Sequence, residues 1–556
     1  MRRIIDCHTH FFNAAHWPLR GILRANLGRL PALLLEGLVQ SIRYNTEEDP
    51  QLDVRVTELG ADLLASPFVN SGFEFAARGS SAPPAGLPVG RLGQAEVVHD
   101  LVAHLSDDLV LADDAETERF LHEYSDEDTI ALATESAAEF IAVGGSVPAA
   151  GLRDAASFRR GAIESALRNY INEVASDLKD HQKSLLLHLL EFLRQAQRSE
   201  IQLVSEYMGM VRDPVLLVHH MMDLQVPYFE GSVPFDFKRQ VRRLRKLSSL
   251  YPGKLVGFVA YDPYRGDLDE VTKAVTEGFC GVKIYPPTGY RIIGNGDSKR
   301  GVSDVIADIS DGKLNGVKMD ERLLAFYRMC VHPDRDVPIM CHCNNSGFER
   351  GPRMRIPNYD GEGHEDGTGN LCDPRSLFQL MENRGFANLR LCFAHAGGHT
   401  WFDETRENGR LTWVEPGVDW RNVKDFCHSV YLACRRFPNV YCDFGHLVEA
   451  MDLPHGKALR NRLIDLIDRE SQPYGDFKFF DKVVFGSDYY MPNEHGDYGE
   501  YARQFAAIFG KAPLAEYADA FFVENAKRFL NLPGFLKRCG PSLTSRERAA
   551  FTQLAV

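Results

Sequence analysis

An α/β architecture, a (β/α)8 TIM barrel interrupted after its first strand by a large and mainly helical insertion, is what the sequence predicts. Three observations predict it. Short apolar runs of strand length recur along the chain, several end in a histidine or an aspartate, and tens of residues of helix-like sequence separate each from the next. A barrel of this kind gathers reactive side chains at the C-terminal rim of its strands, so where those side chains fall matters more than how many there are.

The first strand is the run 3–10, which holds His8 and His10. Strand side chains alternate with period 2, so the two histidines share one face while Cys7 and Thr9 take the other. Two convergent imidazoles are half a metal site, although a lone His-x-His on a half-buried strand is otherwise ordinary. Runs 215–220 and 255–261 fit strands two and three. The fourth, 281–287, carries Lys283 inside an otherwise apolar strand, an expensive place for an unpaired ammonium. Runs 337–342, 389–395 and 483–488 end in His342, His395 and Asp488, and Asp443 ends another. The intervals between these ends are each long enough for a crossover helix and a loop, which completes a set of about eight strands.

Residues 13–210 are too many for a simple connection between strands one and two. Segments 163–178 and 184–193 read as helices with one apolar face, so this stretch is an inserted helical domain. Within it, 79–86 is a Gly/Pro/Ser connection and 107–128 an acidic, solvated stretch. The insertion leaves the barrel at the rim that carries His8 and His10. It therefore reads either as a lid over the site or as an oligomer interface. Residues 211–535 form the rest of the barrel and 536–556 a C-terminal tail.

Composition bounds what the chain can do. At 556 residues and 44% hydrophobic it can bury a large core and more than one domain. A net charge of -14 speaks against nucleic-acid binding, which needs clustered Lys and Arg. Of 11 cysteines ten lie at or after Cys280, and no CxxC pair suggests a zinc knuckle; Cys341 and Cys343 flank His342 and point away from it, as small buried hydrophobes. Unpaired thiols fit a reducing cytoplasm. The first strand starts within a few residues of Met1, and no apolar run reaches about 18 residues. The expectation is a soluble, cytoplasmic protein acting on a small molecule, with no nucleic-acid or membrane partner and with homo-oligomerisation left open.

Taken together, Asp6-x-His8-x-His10, His342 ending strand five, His395 with Gly397 and Gly398 after it, and Gly486-Ser487-Asp488 ending strand eight resemble the amidohydrolase superfamily. They are most similar to its branch of metal-dependent hydrolases and nonoxidative decarboxylases, as are Tyr261-Asp262-Pro263 after strand three and residues 522–529. The resemblance covers residues 1–12 and roughly 211–535. It implies His8, His10, His342 and Asp488 as metal ligands, and His395 as a catalytic residue that orients substrate or water. Asp488 doubles as proton acceptor. Lys283 has two readings. Its local run resembles that of dihydroorotases, where a carbamylated lysine bridges two metals; in the favoured branch such a lysine instead pairs with a carboxylate or a substrate anion.

A set of neutral imidazoles and one carboxylate suits a divalent ion, Zn²⁺ foremost, and leaves a position for water. One ion is expected, or two if Lys283 is carbamylated. The implied activity is hydrolysis of an amide, lactone or related C–N or C–O bond in a small molecule, with His395 and Asp488 moving the protons. Nonoxidative decarboxylation of an aromatic acid is the alternative, and a non-catalytic metal-binding scaffold a third reading. For substrate contact the sequence offers Tyr290 and Arg291 directly after strand four, Arg291 as a bidentate fork for a carboxylate, and Asn345 after strand five beside Asn344 and Arg353. A solvated loop arginine is the bland reading of Arg291. His219, His220, His399 and His446 lie near strand ends and are given no role as ligands.

Overall fold

The computed structural model describes residues 3–12, 16, 199–211, 214–225, 235–344, 355–361, 363–402, 406–407, 410–411, 419–469, 475–489 and 498–555. All belong to one of the two units into which the chain divides. The expected insertion therefore lies almost entirely outside the described residues, as do Asn345 and Arg353.

Eight parallel strands follow one another in chain order around a single sheet. They are β1 (Ile5–Thr9), β2 (Leu216–His220), β3 (Leu255–Ala260), β4 (Phe279–Ile284), β5 (Ile339–Cys341), β6 (Leu391–Phe393), β7 (Val440–Asp443) and β8 (Val483–Val484). Neighbouring strands pair in register, as Leu217 with Leu255, Val282 with Ile339, Leu391 with Val440 and Cys442 with Val483. The last strand returns to the first. Cys7 N–H donates to Phe485 O at 3.0 Å, Asp488 N–H donates to His8 O at 2.7 Å, and Thr9 pairs with Tyr489. The sheet thus closes into a barrel, and every residue of the strands is buried. Burial on both faces is why these strands read as continuous apolar runs instead of alternating ones.

Helices cover the outside. The first, α1 (Glu200–Val211), falls in the stretch assigned from sequence to the end of the insertion; it packs on the helix Tyr498–Ile508 and leads directly into β2. Next, α2 (Phe237–Leu250) turns Phe237, Leu244, Leu247 and Leu250 inward at helical spacing, and the Asp236 carboxylate caps it by accepting from Arg239 N–H at 2.7 Å. Two ends of the long excursion meet in a buried ion cluster. His16 Nε2 lies 3.5 Å from Glu200 Oε1, and Arg243 of α2 donates to both Glu200 oxygens at 2.8 and 2.9 Å. At the opposite end, Phe529 lies against Phe258 and Tyr441 and fills the barrel's N-terminal end, with ring centroids 6.0 and 5.5 Å apart.

All eleven cysteines are buried and unpaired, as expected of small apolar fillers. No helix among the described residues is long and apolar enough to cross a membrane.

Candidate metal centre

Strands β1, β4, β7 and the segments just after β5, β6 and β8 deliver their polar side chains to one buried point at the C-terminal end of the barrel. Three of these side chains, His8, His395 and Asp488, place one donor atom each within 4.8 Å of one another. His8 Nε2 is 3.1 Å and His10 Nε2 3.2 Å from the same Asp488 oxygen. Lys283 Nζ is 3.2 Å from His8 Nε2. His342 stands one step out, its Nδ1 3.2 Å from His395 Nε2 and its ring against Tyr285. The sequence reading treats His342 as a ligand and His395 as a catalytic group; by distance it is His395 that shares the central point.

His8, Lys283 and Asp443 lie within their strands, whereas His10, His342, His395 and Asp488 lie one to four residues beyond theirs, and the chain turns sharply at several of these points. His395 and Asp488 have φ of 59° and 60°, and His446, on the loop after β7, has 56°. Such left-handed backbone is uncommon for residues with a Cβ and costs free energy, so it persists where the surrounding structure enforces it. Gly486 shows how tight the packing is. A Cβ at this position would stand 2.9 Å from His8 Cβ and 3.1 Å from Asp443 Cγ, which only glycine avoids.

The outward nitrogens of the three histidines are all engaged. His8 Nδ1 is 3.1 Å from Asp443 Oδ2, His10 Nδ1 2.9 Å from His220 O, and His395 Nδ1 3.0 Å from Gly445 O. The two carbonyl oxygens can only accept, and so does Asp443 in its ionised form, which places the ring proton on Nδ1 and leaves the Nε2 lone pair facing inward. Burial pushes His8 well below the usual imidazole range, with the Lys283 charge adding to it, and pushes His395 down to about 3. Asp488 stays below the usual carboxylate range in spite of burial, because its electropositive surroundings, His446 among them, favour the ionised form. Lone pairs of His8 and His10 thus meet a carboxylate oxygen at 3.1 to 3.2 Å with no proton between them. Acceptor against acceptor at that distance is repulsive unless a cation sits among them, and among the described residues the Lys283 ammonium is hydrogen-bonded to His8 Nε2 only. The donor set therefore fits a divalent metal, with the outward acceptors fixing ring orientation.

Asp443 is the residue whose role the sequence reading missed. Its Oδ1 accepts from the amides of His395 at 3.0 Å and Gly445 at 2.7 Å while Oδ2 takes His8. Burial raises its carboxyl to about 7, against the pull of those two amides. The C-terminal-end rule places Asp443 at a strand end but gives it no role. His446, set aside from sequence, also reaches the site, with Nδ1 3.4 Å from Asp488 Oδ2 and a side chain 34% exposed. Tyr290 and Arg291 are turned elsewhere. The Tyr290 hydroxyl accepts from Tyr285 N–H at 3.0 Å, and Arg291, only 1% exposed, donates to Pro357 O. Arg291 is thus a buried side chain and not a solvated one, and neither residue touches the histidine cluster.

A family profile described as Amidohydrolase matches residues 220–532, more than half of the chain. The chain belongs to the amidohydrolase family. Metal dependence fits the donor set, and the matched span takes in Lys283, His342, His395, Asp443 and Asp488, while His8 and His10 reach the same point from before it. No curated protein matches the chain. Solved structures similar to this amidohydrolase include an amidohydrolase from Burkholderia multivorans, at 13% identity over 59% of this chain and 87% of that one, with a TM-score of 0.33. Another is amidohydrolase 2 from Bifidobacterium longum subsp. infantis, at 13% identity over 61% and 88%, TM-score 0.30. A third is 2,6-dihydroxybenzoate decarboxylase from Rhizobium, at 15% identity over 59% and 87%, TM-score 0.32. These likenesses are distant, and family membership rests on the profile match.

Proposed function

We propose that this amidohydrolase is a metal-dependent hydrolase of a small molecule, cleaving an amide, lactone or related C–N or C–O bond. The observation that carries the reading is the set of inward Nε2 lone pairs on His8, His10 and His395 around the Asp488 carboxylate. These four residues would hold one divalent ion, Zn²⁺ being the first choice for imidazole and carboxylate donors. Such an ion, when bound, lowers the pKa of its water to about 7 and polarises a carbonyl oxygen.

The rest is supplied by the chain. Asp488 stays ionised at neutral pH and can accept a proton on the oxygen not turned toward His8 and His10. That oxygen, Oδ2, faces His446 Nδ1 at 3.4 Å, and the partly exposed His446 ring offers a path for the proton toward the leaving group or solvent. Lys283, with Nζ 3.2 Å from His8 Nε2, balances the negative charge of Asp488 and Asp443. In the alternative role it would be carbamylated and bridge a second ion.

Metal analysis followed by a screen of the metal-loaded protein on amides, lactones and hydroxybenzoates tests the proposal. Hydrolysis of an amide or lactone that disappears in Asp488→Asn is the expected outcome. Release of CO₂ from a hydroxybenzoate with no hydrolysis of the other classes would replace this reading with decarboxylation. Stoichiometric metal with no turnover in any class would favour a scaffold.

A further inference from the structure

The residues that precede β6, β7 and β8 lie at the end of the barrel opposite the histidine cluster, and there they surround an open pocket of about 710 Å³. Its walls carry four cations, Arg390, Lys478, Lys482 and Arg528, against two carboxylates, Asp476 and Asp481. Asp336, just beyond the lining, pairs with Arg390, and the pocket still keeps a net positive charge in a chain whose overall charge is -14.

The four cations are not equivalent. Arg390 is committed, donating to Asp336 through Nε at 3.2 Å and Nη2 at 2.9 Å and to Arg528 O through Nη1. Arg528 lies 3.8 Å from Asp481. Lys478 has no ion pair among the described residues. Lys482 stands out because it is only 6% exposed, yet no carboxylate pairs with it among the described residues. Its Nζ donates to Pro438 O and lies 4.9 Å from the Tyr441 ring centroid and 4.7 Å from that of Phe477. An ammonium has three N–H donors, and one carbonyl with two ring faces leaves it short of a counter-charge. Burial lowers its pKa, which is what an uncompensated ammonium does. The active-site chemistry has no use for a cation at this end, where barrel residues ordinarily serve stability.

We propose that this pocket binds a phosphoryl dianion, free or as the end group of a small metabolite, with Lys482 at its centre and Lys478 and Arg528 at its mouth. An anion answers the pocket's excess positive charge, and the tetrahedrally arranged oxygens of a phosphoryl group suit donors that approach from different walls. A carboxylate offers only two oxygens in one plane.

Calorimetric titration of the metal-loaded full chain with inorganic phosphate and with glycerol phosphate tests this. Saturable binding of one equivalent is expected, weakened roughly tenfold or more in Lys482→Met and less in Lys478→Ala, as for loss of charge-assisted hydrogen bonds. Affinity should be unchanged in Asp488→Asn, which separates this pocket from the metal centre. Equal affinity for the two probes would identify the bare phosphoryl group as ligand, and tighter binding of the ester a metabolite; either supports the site. If Lys482→Met does not fold, Lys478→Ala decides, a weakened affinity supporting the site and an unchanged one overturning it. Absence of saturable binding, or binding lost in Asp488→Asn and retained in Lys482→Met, overturns the proposal.

Discussion

At the scale of single residues, the site depends on Asp443 as much as on the groups it serves. One carboxylate fixes the His8 tautomer through Oδ2 and ties down the amides after β6 and β7 through Oδ1. In Asp443→Asn the two amides can still donate to the remaining carbonyl oxygen, so the new NH₂ faces His8 Nδ1. The imidazole then has to put its proton on Nε2, where it points at the metal position. Metal affinity, measured by chelator competition, should fall roughly 10- to 100-fold, as for loss of other partners behind metal ligands. His8, His10 and Asp488 were legible in the sequence because each closes an apolar run, and that pattern follows directly from barrel geometry. Asp443 closes such a run too, but it acts through His8, and nothing in sequence separates such a residue from an ordinary strand end. His446 was not legible because its reach depends on a left-handed turn.

At the scale of elements, all eight strands were visible as apolar runs, although the runs at 337–342, 389–395 and 483–488 are longer than the strands they contain. The excess is the turn that aims His342, His395 and Asp488, and apolar sequence does not distinguish it from strand. Tyr290 and Arg291 follow β4 as read from sequence, but the turn after β4 folds them under the rim; loop direction is set by packing that no local pattern encodes. The helix α3 (Phe426–Arg436) offers a test of burial at this scale. It is capped by Asp425, whose carboxylate accepts from His428 N–H at 2.7 Å, and it buries the His428 ring. Burial lowers His428 to about 4, against about 6.5 in the unfolded chain. Below about 6.5 the unfolded chain takes up a proton that the folded helix refuses until about 4. Stability is thus lost as pH falls through this window, by up to about 3 kcal/mol. His428→Gln removes the proton site, so its thermal midpoint relative to the parent protein should rise as pH is lowered from 7 to 4.5. A difference independent of pH would show that the ring is not held neutral.

For the whole molecule, the decisive junction is where β8 meets β1, because it joins residues almost five hundred positions apart. Asp6 holds this seam: its Oδ1 accepts from the amides of His8 and Ser487, both at 3.0 Å, and Oδ2 accepts from the Tyr207 hydroxyl on α1. Burial raises the Asp6 carboxyl to about 6, against these hydrogen bonds, so the junction keeps a carboxyl out of water to stay closed. A metal shared by His8 and His10 on one side and Asp488 on the other would be a further tie across the same junction. Whatever binds only the folded state stabilises it by mass action, by about 4 kcal/mol at a thousandfold excess over Kd. Removing the ion with a chelator should therefore lower the thermal midpoint by several degrees, and one equivalent of Zn²⁺ should restore it. In Asp443→Asn, where the ion is held less tightly, the gap between metal-loaded and chelated protein should narrow at the same metal concentration. An unchanged midpoint on chelation would mean that β1 and the segment after β8 do not share an ion, and that the seam is closed by Asp6 and the backbone alone.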